Sequence, residues 1–164
     1  MSLEIVLAYD RADEVRKLFA EYMDMLLEGD PTFAGYLTIQ NYDDELKDFR
    51  DKYGLPDGRL YLAYWNGEAV GSIALRKIDK ENCELKRMYV KPAFRRNGIA
   101  KTLIKQLIAD AHDIGYRYML LDTLPFLQTA IHMYKDIGFY EIERYNNSPM
   151  DTSIYMKLDL PSRE

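Results

Sequence analysis

The stretch CELKRMYVKPAFRRNGIAKTLI, residues 83–104, decides how this chain folds. Its first half reads as the end of a strand predicted over Asn82–Val90. Lys91-Pro92 stops it, because proline has no N–H to give a sheet ladder. Its second half opens a helix predicted over Gly98–Ile114. Ile99, Leu103, Leu107, Ala111 and Ile114 recur at helical spacing, and Gly115 ends the run. Between strand and helix lie Arg95, Arg96 and Gly98. A helix N-terminus presents unpaired N–H groups and partial positive charge. A glycine there lets the backbone approach a ligand closely. The combination is that of an anion site suited to phosphate or pyrophosphate. A solvated basic turn has the same composition, and the loop alone favours that plainer reading. The loop lacks the GxxxxGK[ST] spacing of a P-loop and the GxGxxG of a dinucleotide fold.

Working outward, Leu3–Tyr9 reads as a first strand. Asp10 is a candidate cap for a helix carrying Val15, Leu18, Phe19, Tyr22 and Leu26 at i, i+3, i+4 spacing. Residues 30–41 read as irregular and aromatic, and Asp43–Tyr53 as one short charged helix. Asn66-Gly67 marks a tight hairpin between Leu60–Trp65 and Glu68–Leu75. After the central helix come a strand at Tyr116–Thr123, a helix at Phe126–Ile137, and strands at Phe139–Tyr145 and Ser153–Leu160. The strand-helix-strand unit over 83–123 requires a parallel pair with a right-handed crossover. The hairpins require antiparallel neighbours. The predicted fold is therefore α/β: a mixed, mostly antiparallel sheet with a central parallel pair and helices on its faces. With 164 residues, the whole of 1–164 is expected to form a single domain.

The bulk properties exclude several classes. Net charge is −5, which argues against nucleic acid as a partner, since phosphate backbones demand a basic face. No apolar run reaches the roughly 20 residues that cross a bilayer, so no membrane partner is expected. The N-terminus MSLEIVLAYD does not read as a secretory signal, and the single Cys83 has no disulfide partner in the chain. These features point to a cytoplasmic protein. Cys83 reads as a packing residue. His112 and His132 lack metal-ligand spacing, so no metal is assigned.

Arg95-x-x-Gly98-x-Ala100 resembles the [Q/R]-x-x-G-x-[G/A] acyl-CoA loop of the GNAT superfamily, the Gcn5-related N-acetyltransferases. Residues 83–104 resemble that family's fourth strand, loop and third helix in one piece. MYKDIGFYEI, residues 133–142, resembles its "LYxxxGF" helix end and following strand. The element order matches over nearly the whole chain. The resemblance implies an acyl-CoA N-acyltransferase fold whose central parallel strands splay apart. It also implies acetyl-CoA as co-substrate and direct transfer of the acetyl group to a primary amine.

On that resemblance, backbone N–H groups from Arg95, Arg96, Asn97, Gly98, Ile99 and Ala100 would cradle the CoA pyrophosphate, with Lys101 and Thr102 extending the contact. Pantetheine would pair along Met88, Tyr89 and Val90. An N–H of Tyr89 or Val90 would stabilise the tetrahedral oxyanion. An amine of pKa about 10.4 must lose a proton before attack. Glu84 falls where the histone-acetylating branch carries its catalytic glutamate, and partial burial would raise its pKa toward that use. Strand parity puts Glu84, Met88 and Val90 on one face if no bulge intervenes. Water is the competing proton acceptor, and a structural carboxylate is the competing reading of Glu84. Tyr134 falls where the family carries the tyrosine that protonates the CoA thiolate. As a core tyrosine it would have the same helical spacing.

Two departures stand out. Leu127 replaces the usual asparagine of the family's "NxxA", with Gln128 as a possible substitute for the lost pantetheine contact. Asn97 replaces a frequent glycine, and asparagine tolerates unusual backbone angles. Phe33, Tyr36, Tyr42 and Tyr145 are candidates to line the acceptor side. ALRKIDKENCELKRMYV and MLLDTLPF resemble a family subset with no agreed acceptor, so the resemblance specifies only a small-molecule or peptidyl amine. By analogy a homodimer through the last strands is possible. The alternatives are a non-catalytic acyl-CoA-binding regulatory protein and a phosphate- or nucleotide-binding module of another kind.

Overall fold

The computed structural model describes residues 2–148 and 150–161. The chain runs β1 (Leu3–Leu7), α1 (Ala12–Gly29), α2 (Phe33–Ile39), α3 (Tyr42–Lys47), α4 (Phe49–Tyr53), β2 (Arg59–Trp65), β3 (Glu68–Lys77) and β4 (Asn82–Val90). It continues through α5 (Ile99–Ile114), β5 (Tyr118–Thr123), α6 (Gln128–Ile137), β6 (Tyr140–Ile142) and β7 (Ile154–Asp159). Seven strands form one sheet in the order β1-β2-β3-β4-β5-β7-β6. Every neighbouring pair is antiparallel except β4 and β5, which are parallel. The expected fold class is the observed one.

Period-two alternation splits the strands between two apolar layers. On one face Leu103, Leu107 and Ala111 of α5, with Tyr134 of α6, pack on Tyr61, Ala63, Ile73 and Leu85. On the other, Val15, Leu18 and Phe19 of α1, with Phe49 and Tyr53 of α4, pack on Leu60, Leu62 and Ala74. Each such aliphatic side chain contributes about 1.5–3 kcal/mol by leaving water. Cys83 is fully buried, and burial pushes its thiol up. It is a packing residue.

One irregularity positions the site. In the β3–β4 ladder Ser72 faces Tyr89 and Ala74 faces Lys86, so β4 carries one extra residue. Within that interval Arg87 has φ +59°, a left-handed conformation that costs a residue with a side chain roughly 1–3 kcal/mol. Several contacts hold it there. Ser72 Oγ donates to the Arg87 carbonyl at 2.9 Å. The Arg87 guanidinium grips both oxygens of Glu45, from α3, at 2.8 Å, and donates to Gln40 Oε1 at 2.6 Å. Tyr42 lies beneath it, 5.5 Å from ring centroid to guanidinium carbon. A bulge bends and twists its strand. Accordingly β4 pairs with β5 only from Asn82 to Glu84. Beyond Glu84 the two parallel strands diverge.

The bulge corrects one sequence expectation. Cys83 and Leu85 pack in the α5 layer before it, Val90 and Met88 after it. Tyr89 packs in the α1 layer. Parity inverts at Arg87, so Glu84 does not share a face with Met88 and Val90.

Other expectations also change. Residues 33–39, read as irregular, form α2, because Phe33 and Tyr36 dock one turn apart onto Met23, Leu26 and Leu124. The single helix expected over 43–53 is two, divided at Asp48. That residue is extended, and its carboxylate accepts from Arg50 N at 3.1 Å to start α4. Asp10 does not cap α1. Arg11 holds that position without a side-chain bond, while Asp13 and Glu14 complement the helix dipole in the first turn.

Burial alone would push the Glu45 carboxyl up, but Arg87 and then Lys52 bring it from 4.5 down to about 2. A carboxyl depressed on folding stabilises above its unfolded pKa and loses that contribution as pH falls through the folded one. Its share is about 3 kcal/mol, present above about pH 4.5 and lost toward pH 2. Glu45→Gln should cost about 3–5 kcal/mol at pH 7, because it strands a buried guanidinium. The deficit should shrink markedly by pH 3. Denaturant midpoints at the two pH values check this, and an equal deficit at both would contradict it.

Candidate active site

The loop after β4 turns through a short 3₁₀ segment, Pro92–Phe94, and enters α5 at Gly98. Gly98 has φ +75°, and a Cβ built on it would meet nothing within 4 Å. The space above it is open. Arg96 also has a left-handed φ, +69°, whereas Asn97 does not. Asn97 therefore does not supply the unusual angle expected of it. Its side-chain amide donates to the Phe94 carbonyl at 2.9 Å and braces the loop from below.

Among the described residues, no backbone N–H from Arg96 to Lys101 has a protein acceptor, and the first helical bond is Thr102 N to Gly98 O at 3.0 Å. Six consecutive donors at a helix N-terminus are a strong concentration of partial positive charge. Arg95 contributes differently from expectation. Its N–H bonds the Pro92 carbonyl, and its Nε ties back to the Val90 carbonyl at 3.0 Å. It fastens the loop to the end of β4. Lys101 adds charge at the rim.

This cradle opens into a cavity of about 720 Å³ between the diverging strands. Met88, Tyr89 and Val90 form one wall, and Arg95, Arg96, Gly98, Ile99, Ala100 and Lys101 form its mouth. Asn97 and Thr102 stand outside the lining. Since β5 leaves β4 after Glu84, the edge of β4 from Leu85 onward has no strand beside it there. Such an edge can pair with an amide-rich ligand. Thr123, Leu127, Gln128 and Ala130 make the opposite wall. The Gln128 amide is turned back onto the Pro125 carbonyl.

Tyr134 lines the same cavity, edge-on to Phe139 with centroids 5.6 Å apart. Burial first, then the fields of Tyr22 and Asp122, push its phenol well above its ordinary value. It stays protonated across the neutral range.

Glu84 is elsewhere. It is 2% exposed and lines a second cavity of about 700 Å³, on the side of α2, α3 and the loop after β6. Arg76 Nε bonds it at 3.1 Å, the Tyr145 hydroxyl donates to it at 2.5 Å, and Lys86 Nζ stands 3.8 Å away. Burial works to raise its pKa. Lys86, Arg76 and the Tyr145 hydrogen bond outweigh it, so the carboxyl lies below its ordinary value. The upward shift expected from sequence is reversed, because the sequence did not show two cations and a hydroxyl converging on one carboxylate.

Tyr36, Gln40 and Lys86 line both cavities and join them. Of the aromatics expected on the acceptor side, Phe33 and Tyr36 line the first cavity, while Tyr42 sits under Arg87 and Tyr145 serves Glu84. Asp122 of β5 is an addition. Its Oδ2 accepts from the Tyr36 hydroxyl and from Asn146 Nδ2, the latter at 2.9 Å. The one available signal for Lys86 is its alternation with Glu84 along β4. Asn146 arrives on an irregular loop and gives no signal at all.

Known proteins match the chain across the span that holds most of this geometry. The acetyltransferase (GNAT) family matches residues 13–139. An uncharacterised N-acetyltransferase of Schizosaccharomyces pombe is 35% identical over 150 residues, covering 90% of this chain and 88% of its own. One from Dictyostelium discoideum is 31% identical, covering 98% of this chain and 100% of its own. The solved PaiA N-acetyltransferase of Thermoplasma acidophilum, in complex with coenzyme A, superposes with a TM-score of 0.74 at 18% identity, over 97% of this chain and 99% of that one. The last is a likeness of fold. The matched span contains the diverging strands, the N–H cradle and Tyr134, and this chain belongs to the GNAT family of acetyltransferases.

Proposed function

We propose that the protein is an acetyl-CoA-dependent N-acetyltransferase that moves the acetyl group directly to a primary amine of a small molecule or peptide. The observation that carries this reading is the cavity between β4 and β5, with free N–H donors at its mouth and a protonated tyrosine inside. N-acetyltransferase relatives that cover most of the chain, and a coenzyme A complex of the same fold, support it.

In this reading the pyrophosphate rests on the N–H groups from Arg96 to Lys101, and pantetheine pairs along Met88–Val90. The amine enters from the α1–α2 side, past Phe33 and Tyr36. Its nitrogen attacks the thioester carbonyl carbon, and an N–H of Tyr89 or Val90 takes the oxyanion. The C–S bond breaks, and the thiolate receives the Tyr134 proton. Burial keeps the proton on the phenol until negative charge develops on the sulfur, which then takes it. The proton leaving the amine passes through water in the second cavity toward Glu84. That carboxylate is ionised at neutral pH and faces the second cavity.

Acetyl-CoA should raise the melting temperature in proportion to about 2.7 kcal/mol at 100 times Kd. ATP should not, and Gly98→Asp should abolish the shift by placing a carboxylate in the anion cradle. A shift that survives Gly98→Asp would remove the cradle from the account. Tyr134→Phe should lower kcat by on the order of 10²-fold while the acetyl-CoA shift persists. Glu84→Gln should lower kcat more modestly. Unchanged turnover in Tyr134→Phe would transfer the acid role to water.

A further inference from the structure

The junction between the two cavities carries charge that the transfer chemistry above does not use. Among the described residues, Lys52, Arg76, Lys86 and Arg87 make ion pairs there with Glu45 and Glu84. Three of the cations are accounted for. Arg87 and Lys52 hold Glu45, and Arg76 holds Glu84.

Lys86 is different. Its side chain is 7% exposed, and it faces both cavities. An ammonium has three donors. Among the described residues, Lys86 Nζ makes one hydrogen bond, to Gln40 Oε1 at 3.0 Å, an oxygen it shares with Arg87. Glu84 at 3.8 Å is within ion-pair range but beyond a hydrogen bond. Burial pulls the ammonium down from 10.5 to about 8, and the Glu84 carboxylate only partly offsets this. A buried cation with spare hydrogen-bond donors facing a cavity is suited to an anion from outside.

Across the same cavity stands Asp122, on the other arm of the diverging strands. Its Oδ2 is held by Tyr36 and Asn146, and among the described residues its Oδ1 accepts no hydrogen bond. Its field reaches Lys86. One arm therefore offers a cation and the other a carboxylate, with Phe33 on the wall between them and the α2 entrance.

We infer that the acceptor carries its own carboxylate close to its amine, as an α-amino acid does, with Lys86 binding the carboxylate and Asp122 receiving the ammonium. The inference rests on the transferase reading and specifies its substrate class. It explains why β4 keeps a lysine that neither pairs fully with Glu84 nor reaches solvent. It also sets the attacking nitrogen: an ammonium held at Asp122 lies within the first cavity, where Met88–Val90 would present the thioester.

The test is acetyl-CoA-dependent thiol release with matched acceptors: L-alanine and L-phenylalanine, each as the free acid, the α-amide and the decarboxylated amine. The acids should be used at least tenfold better in kcat/KM than their amides or amines. Lys86→Met should raise KM for the acids by about tenfold or more, with kcat little changed. Any loss of kcat/KM for the amides should be at least fivefold smaller than for the acids, and the acetyl-CoA melting shift should persist. Lys86→Arg, which keeps the charge, should recover part of the loss. If Lys86 were only a structural partner of Glu84, acids and amides would decline together, and the inference would be wrong. Equal use of acids and amides by the unaltered protein would also overturn it. No thiol release from any amine, with the acetyl-CoA shift intact, would instead sink the transferase reading, and this inference with it.

Discussion

The geometry of this protein depends on the grip of Glu45 on Arg87. Arg87 is the extra residue of β4, held in a left-handed conformation that a side chain resists. A bidentate ion pair, a shared glutamine and the Ser72 hydroxyl on its carbonyl over-determine that conformation. Bending β4 at this point ends its pairing with β5 after Glu84. From that one departure follow the open edge at Met88–Val90, the cavity between the strands, and the direction in which β4 delivers the chain to the Arg96–Lys101 cradle. The pair is nearly dry, and removing ions from water is costly. Its retention makes sense as a device that fixes a shape, since a pair of apolar residues could fill the same volume without specifying the bend.

The two sides of the sheet therefore divide the chemistry. The α5 side offers backbone donors and an apolar slot, suited to a long ligand with an anionic end. The α1–α4 side offers side-chain charge in a recessed network. Glu84 lies in that network, under Arg76, Lys86 and Tyr145. A carboxylate held this way stays ionised at neutral pH and organises its neighbours. Tyr134 is the opposite case. Burial, with no hydrogen-bond partner among the described residues, keeps its proton in place, which is what a donor to a departing thiolate requires.

Much of this was legible in the chain. The bounds of β4 and the end of α5 at Gly115 follow from Pro92, the apolar stripe and the glycine. The anion loop is visible because its physics is local: a turn, a glycine and a helix start. What escaped is non-local. The bulge at Arg87 leaves no mark in the sequence of β4. α2 has little periodicity of its own and forms because Phe33 and Tyr36 find Met23 and Leu124. The direction of the Glu84 shift depends on Lys86 and Arg76 converging on it, and then on Tyr145, sixty-one residues away in sequence. Asp122 becomes a site residue through Tyr36 and Asn146, neither of which announces the contact.

The most direct test of the central claim, that the bend at Arg87 opens β4 to receive acetyl-CoA, is amide hydrogen exchange with and without that ligand. If the open edge and the cradle are the binding surface, acetyl-CoA should slow exchange by about tenfold or more in two segments, Leu85–Val90 and Arg96–Lys101. Exchange in β1 and β2 should stay as it was. Protection confined to other segments, or none at saturating ligand, would contradict the account.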